Sequence, residues 1–95
     1  MSVYFLVQVE TISNEDMYKE YIDKVTSIIK KYGGEYIFRS EKITILVGEW
    51  NLKRILLIRF ACKEKIQECL QSSEYKEIAH LRENSTISKA LIIEE

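Results

Sequence analysis

The spacing of apolar residues changes period twice within the first forty residues, and that change constrains the fold more than any other feature. From Val3 to Glu10 the period is two: Val3, Phe5, Val7 and Val9 point one way, and Tyr4, Leu6, Gln8 and Glu10 the other, as in a strand. From Met17 to Tyr32 the period is three and four: Met17, Tyr18, Tyr21, Ile22, Val25, Ile28, Ile29 and Tyr32 form one stripe of a helix. The start of that helix is marked by Ser13 as N-cap with Asp16 three residues on, by Ile12 and Met17 as a hydrophobic staple, and by acid in the first turn. Lys30 and Lys31 suit its C-terminal end, and Gly33 or Gly34 can take the left-handed conformation that stops it. Strand character returns over Glu35 to Arg39.

The remainder continues the pattern. After a polar break at Ser40 to Lys42, β character resumes over Ile43 to Val47, giving either one bent strand or a hairpin. A loop over Gly48 to Lys53 leads into a strand over Arg54 to Ala61, with Leu56, Ile58 and Phe60 on one face and Ile55, Leu57, Arg59 and Ala61 on the other. A short helix is predicted over Lys63 to Gln71. Ser72 reads as the N-cap of another helix running to about Asn84, and Lys89 to Glu94 reads as a last strand. The order β-α-β-β-α-β is the ferredoxin-like α+β pattern, an antiparallel sheet with its helices on one face. The second sheet face is also apolar, through Leu6, Ile37, Ile55, Leu57 and Ile92 or its neighbours. Such a patch is uncommon on a soluble monomer, so a second copy of the chain is expected to cover it, giving a homodimer whose sheets face each other.

Composition narrows the partners. The 95 residues suit one domain spanning 1–95. The formal net charge of −1 supplies no global field for nucleic acid or an anionic membrane, and the strand aromatics do not match an RNA-binding pattern. No apolar run approaches the roughly 20 residues that span a bilayer, and the N-terminus alternates like a strand instead of showing a leader's basic and apolar regions. Cys62 and Cys69 lie seven apart on one predicted helix, about 10 Å along its axis, too far to bridge. Reduced thiols and a cytoplasmic location are therefore expected. One His, His80, and the absence of a CxxC spacing argue against a metal site. The segment "YGGEY" follows a helix and enters a strand, the wrong order for a dinucleotide loop, and no cofactor is expected.

The motifs "KYGGEYIFR" at 31–39, "GEW" at 48–50, "KRILLIRF" at 53–60 and "SSEYKEIAHLR" at 72–82 together resemble the DUF1330 family over nearly the whole length. The resemblance implies a small dimeric α+β barrel. Related barrels include cofactor-free monooxygenases, haem-degrading enzymes, dehydratases, isomerases and ligand-sensing modules, and fold analogy does not choose among them. By position the family pattern falls on Tyr36, Arg39, Gly48, Glu49, Trp50, Arg54, Phe60, Glu74, Tyr75 and Arg82. The chain departs from that pattern at Ser40, where many members have Gly. Val47 and Arg59 stand where acidic residues are common, and Leu52, Ala61 and Ser73 where prolines are.

Tyr36, Arg39, Glu49, Trp50, Arg59, Tyr75 and Arg82 are the candidate ligand-binding residues. Trp50, at the mouth of a strand, can wall a pocket for a planar ligand or pack at the barrel end or the dimer seam. Arg59, mid-strand on the face assigned to the barrel interior, needs a partner: either a ligand carboxylate or enolate oxygen, or an ion pair to Glu10 or Glu49. Arg39 and Arg82 with Tyr36 and Tyr75 suit an anionic or oxygenated small ligand, although Arg82 also complements the dipole at the end of its helix. His80 reads as a surface or packing residue, and no nucleophile-and-base set is legible. Two functions fit: a small-metabolite binder, with or without cofactor-free oxygenase or isomerase chemistry, and a non-catalytic sensor, accessory or structural dimer.

Overall fold

The computed structural model describes residues 2–95. Seven elements follow one another: β1 (Val3–Ile12), α1 (Glu15–Lys31), β2 (Glu35–Ser40), β3 (Arg54–Phe60), α2 (Lys63–Gln71), α3 (Ser73–Glu83) and β4 (Thr86–Glu94). The strands form one antiparallel sheet in the order β2-β3-β1-β4. The helices cover one face of it, which is the ferredoxin-like α+β architecture expected from the sequence. Within one chain the sheet is open, with β2 and β4 as its edges, and is not closed into a barrel.

The period-two pattern of β1 sorts its residues as predicted. Val3, Phe5 and Val9 are buried against the helices together with Leu56, Ile58 and Phe60 of β3. From the helices come Tyr18, Tyr21, Val25, Ile28 and Ile29 of α1, Ile66 and Cys69 of α2, and Tyr75, Ile78 and Leu81 of α3. The cap of α1 is Asn14 and not Ser13: the Asn14 Oδ1 accepts from the Met17 N–H at 3.0 Å. Asparagine caps as well as serine does, and the strand runs on to Ile12, so the helix starts one residue later than the capping-box reading placed it. Its end is as expected. Gly33 has φ 87°, the left-handed C′ conformation, and the Gly34 N–H bonds the Ile29 carbonyl at 2.9 Å. Between α2 and α3, Ser72 serves both helices. Its Oγ donates to the Cys69 carbonyl at 2.7 Å and accepts from the Tyr75 N–H at 3.1 Å.

Two predicted strands differ from the sequence reading. Ile43 to Val47 is not a strand; the whole connection from β2 to β3 is without a ladder. β4 begins at Thr86, opposite Ile12, ahead of the predicted Lys89. Thr86 and Ser88 gave no apolar alternation to read, and it is pairing with β1 that makes them strand. Ile92 faces the helices, opposite Phe5, and its neighbours Leu91 and Ile93 lie on the open face.

On that open face Leu6 stands between Leu57 and Leu91, and Tyr4 between Arg59 and Ile93. Phe38 extends the apolar row beside Leu57. The register of β2 against β3 slips between Tyr36 and Phe38, so that Ile37 is an extra, unpaired residue. Such a bulge shifts the alternation by one. It places Tyr36 and Arg39, three apart, both on the helix side, opposite Ile58 and Leu56.

Candidate functional site

Below α1 the sheet floor of Val7, Val9 and Leu56 and the roof of Tyr18, Tyr21 and Val25 leave a small cavity of about 40 Å³. It shares Phe5, Val7, Tyr21, Ile29, Arg82 and Ser88 with a larger groove of about 570 Å³ that opens between α3 and β4. The lining is mostly apolar. The polar groups gather where the cavity meets the groove.

Tyr75 and Arg82 are seven residues apart on α3, two turns along one face, and Tyr21 reaches them from α1. The Tyr21 and Tyr75 hydroxyls are 3.0 Å apart, and the Arg82 Nε donates to the Tyr75 oxygen at 3.2 Å. The ring planes of Tyr21 and Tyr75 meet at 78°, the edge-to-face arrangement aromatic pairs favour. One Nη of Arg82 reaches the Ser88 Oγ at 3.5 Å, and the other lies 3.7 Å from Glu83 outside the cleft. Two phenols carry two hydroxyl protons, and their mutual bond uses one. The other has no protein acceptor among the described residues. Asp, Glu, His and Cys are all absent from the described lining of cavity and groove.

Electrostatics follow from this. Burial pushes the Tyr21 hydroxyl far above the ordinary phenol range, and its neighbour Tyr75 adds to the effect. Burial works against the charge on Arg82, but Tyr75, Tyr21 and Glu83 outweigh it and hold its pKa above the usual value. The cleft therefore presents the neutral Tyr21 hydroxyl and a fixed cation, Arg82, at neutral pH.

On the far side of the cavity two more arginine–tyrosine pairs stand at the sheet. Arg39 lies over the Tyr36 ring at 5.1 Å, and Arg54 over the Tyr18 ring at 5.6 Å, cation–π contacts. The bulge at Ile37 is what allows the first of them. Val9 pairs with Arg54 on one side and Ser88 on the other, so Arg54 and Ser88 are two strand spacings apart, roughly 10 Å.

The structure brings Tyr75 and Arg82 together, with Tyr36 at the inner cavity and Arg39 beside it. It does not bring the other candidates to them. Arg59 is on the open face and pairs across the strands with Glu35, its register partner, not with Glu10 or Glu49; Glu10 binds Lys89 at 3.0 Å. Trp50 is 53% exposed in the β2–β3 connection, where its Nε1 donates to the Val47 carbonyl at 3.1 Å. Its ring lies beside Gly48, which holds φ 89°. Glu49 is exposed next to it, and His80 is exposed on α3. Tyr21, which completes the cluster, reads in the sequence as a core position of α1. The available signal is chemical: a buried tyrosine needs a partner for its hydroxyl.

The fold and cleft define a ferredoxin-like α+β protein with a polar cluster at the mouth of an apolar cavity. The chain belongs to the family described as Domain of unknown function (DUF1330), which it matches over residues 2–95. No functionally curated protein matches it in sequence. Among solved structures it is similar to the protein of unknown function RPA0582 from Rhodopseudomonas palustris, with a TM-score of 0.81 and 13% identity over 97% of this chain and 80% of the other. A dimeric ferredoxin-like protein of unknown function from Jannaschia sp. CCS1 matches with a TM-score of 0.80 and 12% identity over 100% of both chains. SnoaB, a cofactor-independent oxygenase from Streptomyces nogalater, matches with a TM-score of 0.72 and 6% identity over 99% of this chain and 92% of the other. Identities this low show the fold alone. No helix among the described residues is long and apolar enough to cross a membrane.

Proposed function

We propose that the cleft between α1, α3 and the sheet binds a small metabolite with an apolar body and an anionic or oxygenated head. The observation that carries this reading is the unspent phenolic proton beside the Arg82 guanidinium. The cluster offers donors and a positive charge, and apart from Glu83, 3.7 Å from Arg82 outside the cleft, no carboxylate of the described lining answers them. A ligand oxygen would complete the set, with Tyr75, Arg82 and Tyr21 as its head-group residues and Tyr36 at the inner end. Arg39 supports Tyr36 from the sheet. Glu49, Trp50 and Arg59 serve the protein elsewhere than at this head group.

Binding without turnover is the reading we favour. Burial holds the Tyr21 phenol neutral, and Asp, Glu, His and Cys, the usual bases near neutral pH, are absent from the described lining. The similarity to SnoaB supports the alternative, cofactor-free oxygenase chemistry, in which the same donors would stabilise an enolate. We further propose that residues 1–95 act as one domain in a cytoplasmic homodimer, joined through the open face around Leu6, Leu57 and Leu91. The dimeric neighbour and the two free thiols support this.

The test is a thermal-shift screen of small carboxylates and phenolic acids on the wild type and on Arg82→Gln. Stabilisation by members of one class that is lost in Arg82→Gln is expected. A hit that stabilises both proteins equally refutes the assignment.

A further inference from the structure

Three features are left over by the cleft. The first lies in the β2–β3 connection. Ile43-Thr44-Ile45-Leu46-Val47 is rich in β-branched residues that favour strands, yet it joins no ladder of its own chain. Leu46 and Val47 are 89% and 84% exposed. The Ile43 N–H bonds only the nearby Glu41 carbonyl, and the far end is tied to the sheet by the Lys53 N–H on the Val9 carbonyl at 2.8 Å. The second is the edge strand β4, nine residues long. Natural sheets blunt their edges with short strands, bulges or charge. The other edge, β2, is short and bulged, whereas β4 holds one register against β1 from Ser88 to Glu94, with the irregularity of that ladder at Glu10 of β1; its one lysine, Lys89, is paired with Glu10, and it carries Leu91-Ile92-Ile93. The third is the open groove on the inner side of β4, between Leu70 and Tyr75 on the helices and Ala90 and Ile92 on the strand.

We infer that in the dimer the Ile43–Val47 arm of one protomer adds as a fifth strand to the outer edge of its partner's β4, closing the groove over Arg82. This rests on the homodimer reading above and goes beyond it by naming the arm, its acceptor and the site it completes. Strand addition supplies main-chain hydrogen bonds along the edge and seats alternate side chains in pockets. Ile43, Ile45 and Val47 would face the groove, while Thr44 and Leu46 extend the apolar row of Leu91 and Ile93.

A second copy is the occupant because the donor segment and the acceptor edge occur in the same chain, each without a partner. A two-fold axis satisfies both, twice, and closes the assembly. Area agrees. The exposed large hydrophobics of the arm, the open face and β4 leave on the order of 1,000 Å² per chain in water, more than the apolar share, a little over half, of the about 800 Å² per partner in a standard stable interface. Trp50 travels with the arm through its bond to Val47, so it and Glu49 would be delivered to the rim of the partner's cleft.

A benzophenone side chain introduced at Leu46 tests this in dimers mixed from ¹⁴N- and ¹⁵N-labelled chains. Photolysis and mass spectrometry should give inter-chain products mapping to residues 87–93. Products confined to one chain, or joining Leu46 to the partner's β2 or helices, overturn the inference. A second variant, Leu46→Asp/Val47→Asp, should weaken dimerisation at least tenfold by sedimentation equilibrium with far-UV circular dichroism unchanged. An unaltered dimer constant would remove the arm from the interface and leave the face-to-face dimer standing. A wild type that sediments as a monomer at low micromolar concentration would overturn both. Neither result touches the ligand test on Arg82.

Discussion

The hydroxyl of Tyr75 occupies the middle of the polar cluster, and deleting it should cost more than deleting its neighbour. Tyr75→Phe removes the acceptor of the Arg82 Nε and, among the described residues, the only partner of the Tyr21 hydroxyl. Arg82 is partly exposed and can turn to water. Tyr21 is buried and is left with an unsatisfied polar group, a loss of about 2 kcal/mol. Tyr21→Phe removes one hydrogen bond but leaves Tyr75 accepting from Arg82, so about 1 kcal/mol is expected. In Tyr21→Phe/Tyr75→Phe the orphaned hydroxyl is itself gone. The double variant should then lie near the Tyr75→Phe value, with a coupling of about 1 kcal/mol. Urea unfolding followed at 222 nm, at one fixed protomer concentration because dimerisation feeds into apparent stability, supplies all three differences. Additive losses, or a larger cost at Tyr21 than at Tyr75, would refute the central placement of Tyr75.

Gly34 permits a close approach that no side chain could. A Cβ there would lie 2.5 Å from the Ile29 Cγ2, 2.8 Å from the Phe60 Cζ and 2.9 Å from the Ile29 carbonyl oxygen. Gly34→Ala should lose about 2 kcal/mol by overpacking, and an unchanged melting temperature would contradict that contact. Burial pushes the pKa of the Cys69 thiol up to about 11 from its ordinary value of 9.0. Its contribution to stability is whole below about pH 9, where the thiol is neutral in both states. It falls between about pH 9 and 11, where the unfolded chain loses its proton first. Urea midpoints measured over that window should decline less steeply in Cys69→Ala than in the wild type; identical slopes would show that Cys69 does not carry the effect.

Much of the fold was legible because local signals agreed with one another. The alternation of β1, the stripe of α1, the glycine stop and the Ser72 cap all point to elements that the structure contains. What was missed depends on partners distant in sequence. Thr86 and Ser88 become strand only by lying against Ile12 and Val9. Ile43 to Val47 has the composition of a strand but no neighbour in its own chain, and composition cannot supply one. The site divides the same way. Tyr75 and Arg82 were legible as an arginine–tyrosine set because two helical turns stack them. Tyr21 was hidden by its own regularity, since a tyrosine in an apolar helical stripe satisfies the core pattern whatever its hydroxyl does. Arg59 was placed on the correct face, but its partner Glu35 follows from strand register, which the residues alone did not fix.

The bulge at Ile37 bears on how relatives of this chain are to be compared. A strand is a two-sided code in which the side a residue occupies depends on whether it is an odd or even number of steps from a reference. One inserted residue reverses that parity for everything beyond it. A relative with the same letters but no insertion would agree with this chain on one side of position 37 and be face-inverted on the other, with Arg39 turned away from the Tyr36 ring. At the low identities of the structural neighbours, equating residues along β2 by sequence position alone can thus pair a cavity residue with a surface one. Counting the insertions comes before transferring any role.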